Sequence, residues 1–112
     1  MTDKKYRKWD VVWVDLEPVK GSEMKKTRPC VIISPNAVNK ILKIVTIAPL
    51  TSLVKGFPMR VKIIHNSKEG EVCIEQIRTV SKERIASKDK APIKEGYRSI
   101  ITQHLFEYFK DV

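Results

Sequence analysis

The sequence predicts a mainly β, α+β fold: a small, strongly bent antiparallel β-barrel with a C-terminal helix. Three observations carry this. Short apolar runs follow one another at close spacing, separated by turn residues. The connections between them are hairpin-like, which favours antiparallel pairing and a sheet that closes on itself. The one sustained helical period lies at the end of the chain. A chain of 112 residues, 42% of them hydrophobic, suits one domain spanning residues 1–112 with a single core.

Residues 1–8 read as a basic arm. Asp10 to Leu16 is the first strand, with Val12, Val14 and Leu16 on one face and Val11, Trp13 and Asp15 on the other. Glu17-Pro18 ends it. A polar, basic loop follows over residues 18–27, and Arg28-Pro29 leads it into an apolar strand, Pro29 to Ser34, whose continuous apolar character requires cover on both faces. Residues 36–40 form a short turn. Ile41 to Leu50 is the third strand, and Pro49 marks an edge or bulge because it has no ladder donor. Phe57 to Ile64 is the fourth, with Arg60 and Lys62 outward and Val61 and Ile63 inward. His65 to Gly70 is a hairpin turn. Glu71 to Thr79 is the fifth strand, Ser81 to Arg84 one helical turn, and Ile85 to Lys90 a short strand. The helix runs from Pro92 to Phe109, and Tyr97, Ile100, Ile101, His104, Leu105 and Tyr108 form its apolar stripe.

The net charge of +9, from 22 basic and 13 acidic residues, favours a polyanionic partner. No apolar run approaches the ~20 residues of a membrane helix, and the polar Met1 to Lys5 is no signal peptide. A cytoplasmic protein without a membrane partner is expected. Cys30 and Cys73 sit in apolar runs and read as buried free thiols.

No metal-ligand spacing is present: His65 and His104 are far apart, and the two cysteines make no zinc pattern. No Gly-rich phosphate loop exists, so no cofactor and no metal are expected. Polar residues at strand ends remain. Arg28 begins the second strand, Thr51-Ser52 follows the third, and Glu75 to Thr79 lies along the fifth. In a compact barrel these ends converge. Their bland alternatives are an ion pair of Arg28 with Glu23 or Glu75, and a turn hydroxyl at Thr51.

Four blocks give this pattern a context. Trp13 to Glu23, Lys26 to Ser34, Ala48 to Ser52 and Glu75 to Val80 resemble, in order and spacing, the signature blocks of the MazF/PemK/Kid toxins. The resemblance covers roughly residues 9 to 110. It implies an SH3-like barrel, a homodimer, and a metal-independent, sequence-selective endoribonuclease acting on single-stranded RNA. It also implies a cognate antitoxin, which the basic charge of this chain suggests is acidic. By position Arg28 matches the family's catalytic arginine and Thr51 its catalytic threonine. Ser22, Glu23, Gln76 and Arg78 match positions lining the RNA groove. Gly21, Lys25, Lys26, Ser52 and Glu75, from the same blocks, join them as RNA-binding candidates, and Lys55 and Arg60 add basic charge for the backbone. Phe57 and Trp13 are candidates for base stacking or for packing.

Two departures stand out. Trp9-Asp10 replaces the usual Gly-Asp, which places an extra aromatic at the dimer or groove edge. Cys73 stands where some PemK/Kid members carry an arginine, which favours a site built on the Arg28/Thr51 pair. The rival functions are a barrel of the same shape that inhibits DNA gyrase, as CcdB-like toxins do, and a nucleic-acid-binding barrel without turnover.

RNA carries its own nucleophile in the 2′-hydroxyl. Its cleavage needs alignment, charge stabilisation and proton transfer rather than a metal-bound hydroxide. Arginine is a permanent, fork-shaped cation suited to phosphate. A threonine hydroxyl is a poor base and a good hydrogen-bonding group.

Overall fold

The computed structural model describes residues 6–16 and 26–111. Among the described residues there are seven strands: β1 (Val11–Asp15), β2 (Thr27–Ile32), β3 (Ile44–Thr51), β4 (Val61–His65), β5 (Lys68–Val72), β6 (Arg78–Ser81) and β7 (Ile85–Lys88). Helix α1 (Asn36–Ile41) precedes β3, and α2 (Glu95–Phe109) ends the fold. All pairings are antiparallel. The strand path is β4-β5-β3-β2-β1-β7, with β6 beside β3. The result is a bent, SH3-like sheet with a C-terminal helix.

The alternation in β1 divides the core. Val12 and Val14 pack with Cys30, Ile32, Val45, Ile47 and Val80, and Leu16 flanks them. Val11 lies on the opposite face with Val31, Ile33, Ala48, Val61, Ile63, Val72 and Ile74. Both faces of β2 are therefore buried, as its unbroken apolar run requires. Helix α2 covers the second face through Ile101, which is fully buried, with Tyr97 and Leu105 beside it.

The stripe that meets the sheet is narrower than the periodicity suggests, since Ile100 and Tyr108 are exposed. The helix also starts at Glu95, three residues beyond Pro92. The chain first inserts Ile93, fully buried, whose N–H bonds the Trp9 carbonyl at 2.8 Å.

The fifth strand is two strands. Val72 pairs with Leu50, and Arg78 with Ile47. Between these rungs β3 offers only Ala48 and Pro49, while the other chain has Cys73 to Ile77. Cys73 N–H donates to the Pro49 carbonyl at 2.8 Å, but Pro49 has no N–H to return. The ladder lapses there, and Ile74–Gln76 coil into a 3-10 turn. Pro49 thus marks a bulge.

Other boundaries shift. The turn at 36–40 is helix α1, held by buried Asn39, whose amide nitrogen donates to the Ser34 carbonyl at 2.9 Å. The third strand accordingly begins at Ile44, and Ile41 is exposed. The fourth begins at Val61, after Met59 takes a φ of 74°. The hairpin turn narrows to Asn66-Ser67, with φ of 51° and 65°, the left-handed pair that suits a two-residue hairpin. The turn Lys82–Arg84 and strand β7 lie where the sequence puts them.

Trp9, in place of the expected glycine, has a φ of 80°. Its N–H donates to the Ile32 carbonyl at 2.8 Å, and its ring packs against the core with Lys8 and Arg98 over it at 5.1 and 6.0 Å. Burial and cation–π contact offset a backbone strain of order 1–3 kcal/mol. The extra aromatic therefore belongs to the core beneath α2.

Cys30 and Cys73 are free and buried. Among the described residues no helix is long and apolar enough to cross a membrane.

Candidate active site

Arg28 is the second residue of β2, paired with Val14 of β1. The residues that follow it, Cys30 to Ile32, are fully buried, so its backbone is anchored while its side chain is exposed. Among the described residues it makes no ion pair. Glu75, one of its possible partners, is held by Arg60 at 2.7 Å.

Thr51 ends β3 and pairs with Glu71 of β5. Its hydroxyl accepts the Leu53 N–H at 3.1 Å and so caps the departing loop. That is the turn role foreseen as its bland alternative, and it leaves the hydroxyl proton available.

Arg28 and Thr51 line one cavity of about 510 Å³. One wall is Trp13, Thr27, Arg28 and Pro29, from β1 and β2. A second is Leu50 to Leu53. The third is the β4–β5 hairpin, with Ile63, His65, Asn66, Lys68, Glu69 and Gly70, and Asp89 closes the rim. Ser52 is also on this surface, exposed.

Behind Thr51 lies a charged cluster. Glu71 accepts N–H groups from Gly56 at 2.9 Å and Lys55 at 3.1 Å, and Arg60 reaches it at 3.4 Å. The Gly56 N–H, with those of Lys55 and Arg60, holds the Glu71 carboxyl below its usual range against the opposing effect of burial. Arg60 also holds the Glu75 carboxyl low. Arg60 was expected to point outward as an RNA contact, but only 8% of its side chain is exposed and two carboxylates occupy it. Period-2 alternation put it outside; the carboxylates of residues 71 and 75 draw it in.

The remaining candidates divide. Gln76 bonds Glu75 at 3.3 Å and Arg78 bonds the Leu16 carbonyl at 3.3 Å; both are exposed, and neither lines the cavity. Lys26 is exposed beside β2. Gly21, Ser22, Glu23 and Lys25 lie outside the described residues. Phe57 sits exposed under Arg60 and Lys55, at 4.8 and 5.6 Å. Trp13 is a cavity wall, with its indole N–H on Asp89 at 3.0 Å.

Nothing in the sequence pairs His65 with Asp89, yet the two meet at 3.0 Å on the same cavity. They are 24 positions apart, and only the fold joins them. Among the described residues no group of His, Cys, Asp and Glu is arranged to hold a metal ion.

A bent antiparallel sheet with one terminal helix, and an arginine and a threonine lining one cleft, define the class: a small SH3-like barrel with a polar groove. A family model for the PemK-like, MazF-like toxins of type II toxin–antitoxin systems matches residues 7–106, and the chain belongs to that family. It is similar to the endoribonuclease toxin MazF of Escherichia coli (strain K12), 32% identical over 72 residues, or 64% of this chain and 65% of the relative. It thus spans less than two thirds of that curated relative's length. Among solved structures, MazE–MazF (Form-II) from Deinococcus radiodurans superposes with a TM-score of 0.80 at 25% identity, covering 95% of this chain and 96% of the other. An endoribonuclease in complex with its cognate antitoxin from a mycobacterial species gives 0.75 at 21% identity, over 91% and 92%.

Proposed function

We propose that this protein is the toxin of a toxin–antitoxin pair and a metal-independent, sequence-selective endoribonuclease of single-stranded RNA, working in the cytoplasm as a homodimer. The observation that carries the reading is an arginine without a carboxylate partner among the described residues, sharing a cavity with a threonine hydroxyl. The names of the Escherichia coli and mycobacterial relatives support the activity, and the complexes among the neighbours support an antitoxin partner. The net charge of +9 suits both an RNA strand and an acidic antitoxin segment.

In this reading the ribose 2′-oxygen attacks the adjacent phosphorus, the 5′-oxygen leaves, and a cyclic phosphate remains. Arg28 meets the charge that builds on the phosphorane with a bidentate fork. Thr51 holds the 2′-hydroxyl or the scissile phosphate by hydrogen bond. Trp13 offers a face on which a base can stack.

The test is incubation of the purified protein with a long single-stranded RNA in EDTA, followed by mapping of the ends. Discrete cuts with cyclic-phosphate termini are expected, and Arg28→Ala should slow them by ~10²–10³ with an unchanged melting curve. Intact RNA, or full activity in that variant, would overturn the reading. Inhibition of DNA gyrase without any cut would instead mark a binding toxin.

A further inference from the structure

We infer that His65 is the general base of this site, with Asp89 as its positioning residue; the inference rests on the ribonuclease reading above.

The cavity needs a proton acceptor, and few of the described groups lining it can serve. Arg28 is permanently charged. Thr51 is a poor base. Glu69 is more than half exposed and shares its carboxylate with Lys62 at 3.6 Å. Both Asp89 oxygens are already engaged: Oδ1 accepts the Trp13 indole N–H at 3.0 Å, and Oδ2 takes the Asn66 amide at 3.2 Å and His65 Nε2 at 3.0 Å. Lys68, also on the wall, only donates as an ammonium, so among the described residues the imidazole of His65 remains.

Its setting is fixed from several sides. Asp89 donates its own backbone N–H to the Val11 carbonyl at 2.9 Å, so the carboxylate is clamped by β1 as well as by the hairpin turn. An ionised carboxylate only accepts, so Nε2 carries the hydrogen and the lone pair of the neutral ring sits on Nδ1. Among the described residues nothing bonds that nitrogen.

Thr51 lines the same cavity as His65. Gly70 of β5 lies so near that a Cβ there would be 2.6 Å from the Thr51 carbonyl oxygen. Gly70 pairs with Ile63, and His65 stands two residues further along the same face of β4, a step of ~7 Å.

The step is then balanced. Nδ1 takes the 2′-hydroxyl proton as the 2′-oxygen–phosphorus bond forms and the phosphorus–5′-oxygen bond breaks. The leaving 5′-oxygen takes a proton from water, and the imidazolium, stabilised meanwhile by Asp89, returns its proton to solvent. A 2′,3′-cyclic phosphate and a 5′-hydroxyl result.

The rival role for the pair is structural, since it joins the two ends of the strand path. The experiment separates the two roles. His65→Gln keeps a donor toward Asp89 but offers no base. It should melt within a few degrees of the wild type, bind a 2′-O-methyl RNA within threefold, and cleave ~10²–10⁴-fold more slowly. His65→Ala should regain cleavage in added imidazoles, faster with the more basic ones. Asp89→Asn should lower kcat, yet add nothing to His65→Ala in the double variant.

Cleavage by His65→Gln within threefold of wild type overturns the inference, and so does rescue that weakens as the imidazole becomes more basic. An RNA with one 2′-deoxy sugar at the cut site separates the two readings. If the wild type cleaves it, or cleaves no RNA at all, the ribonuclease reading fails and this inference with it. If the wild type requires that hydroxyl while His65→Gln loses nothing, His65 alone is at fault.

Discussion

Glu71 accepts the backbone N–H of Gly56 at 2.9 Å, and through that bond the strand opposite Thr51 holds the loop that leaves Thr51. Gly56 has a φ of 68°, a left-handed conformation that presents its N–H at little cost because it has no side chain. The carboxyls of Glu71 and Glu75 are both held below the ordinary value of 4.5. A depressed carboxyl stabilises the fold fully above its unfolded value and loses that contribution as pH falls through its folded value. Thermal melts should therefore be flat from pH 7 to about 5 and drop steeply below 4.5. Glu71→Gln should melt several degrees lower at pH 7 and show a shallower acid limb. Protease cuts in residues 53–57 should rise in the same variant.

Gly70 is fixed by proximity. Any Cβ there meets the Thr51 carbonyl at 2.6 Å, and backbone at that distance yields only by moving the strand. Gly70→Ala should cost ~1–3 kcal/mol and, by shifting Thr51, reduce cleavage by ~10². Gly96 in the first turn of α2 has open space around it and is the control. Gly96→Ala should be neutral or stabilising, by up to ~1 kcal/mol, with unchanged activity. Melting and cleavage measured on both variants check the contrast.

Thr51→Ser keeps the hydroxyl that caps Leu53 and faces the cavity, and should retain cleavage within tenfold. Thr51→Ala removes both roles. It should lose ~1 kcal/mol of stability and ~10²-fold or more in rate. Equal, full activity in both variants would show that the hydroxyl takes no part.

Burial pushes the Cys30 thiol up to about 12, from an ordinary value of 9.0. A raised thiol contributes stability below its unfolded value and loses it as pH rises toward the folded one. The native protein should react with iodoacetamide at pH 8 at least ~10²-fold more slowly than the urea-unfolded chain. Melting temperature should begin to fall above pH 9. Cys30→Ala, which has no thiol to titrate, should lose part of that alkaline slope.

What could be read in advance follows from the range of the forces involved. The alternation of Val11 to Val14 and the apolar run of β2 are local, and both predicted the buried faces. Pro49 was legible as a break, but only pairing shows that the break falls on the neighbouring strand, at Cys73 to Ile77. Arg60 looked like a solvated charge because alternation knows nothing of carboxylates brought in by another strand. Ile100 and Tyr108 fit the helical stripe, yet the sheet beneath α2 is wide enough for Tyr97, Ile101 and Leu105 only. The Arg28/Thr51 pair was visible because its blocks lie in order along the chain. His65 and Asp89 carry no such mark: one ends β4 and the other follows β7, and the fold alone makes them neighbours.

That last junction shapes how the sheet is closed. β4 and β7 terminate the sheet, and where they approach, the His65–Asp89 hydrogen bond bridges them side chain to side chain, with no ladder between them. Closure at that seam therefore hangs on a carboxylate and the two side chains that reach it, His65 and Asn66, rather than on a count of backbone rungs.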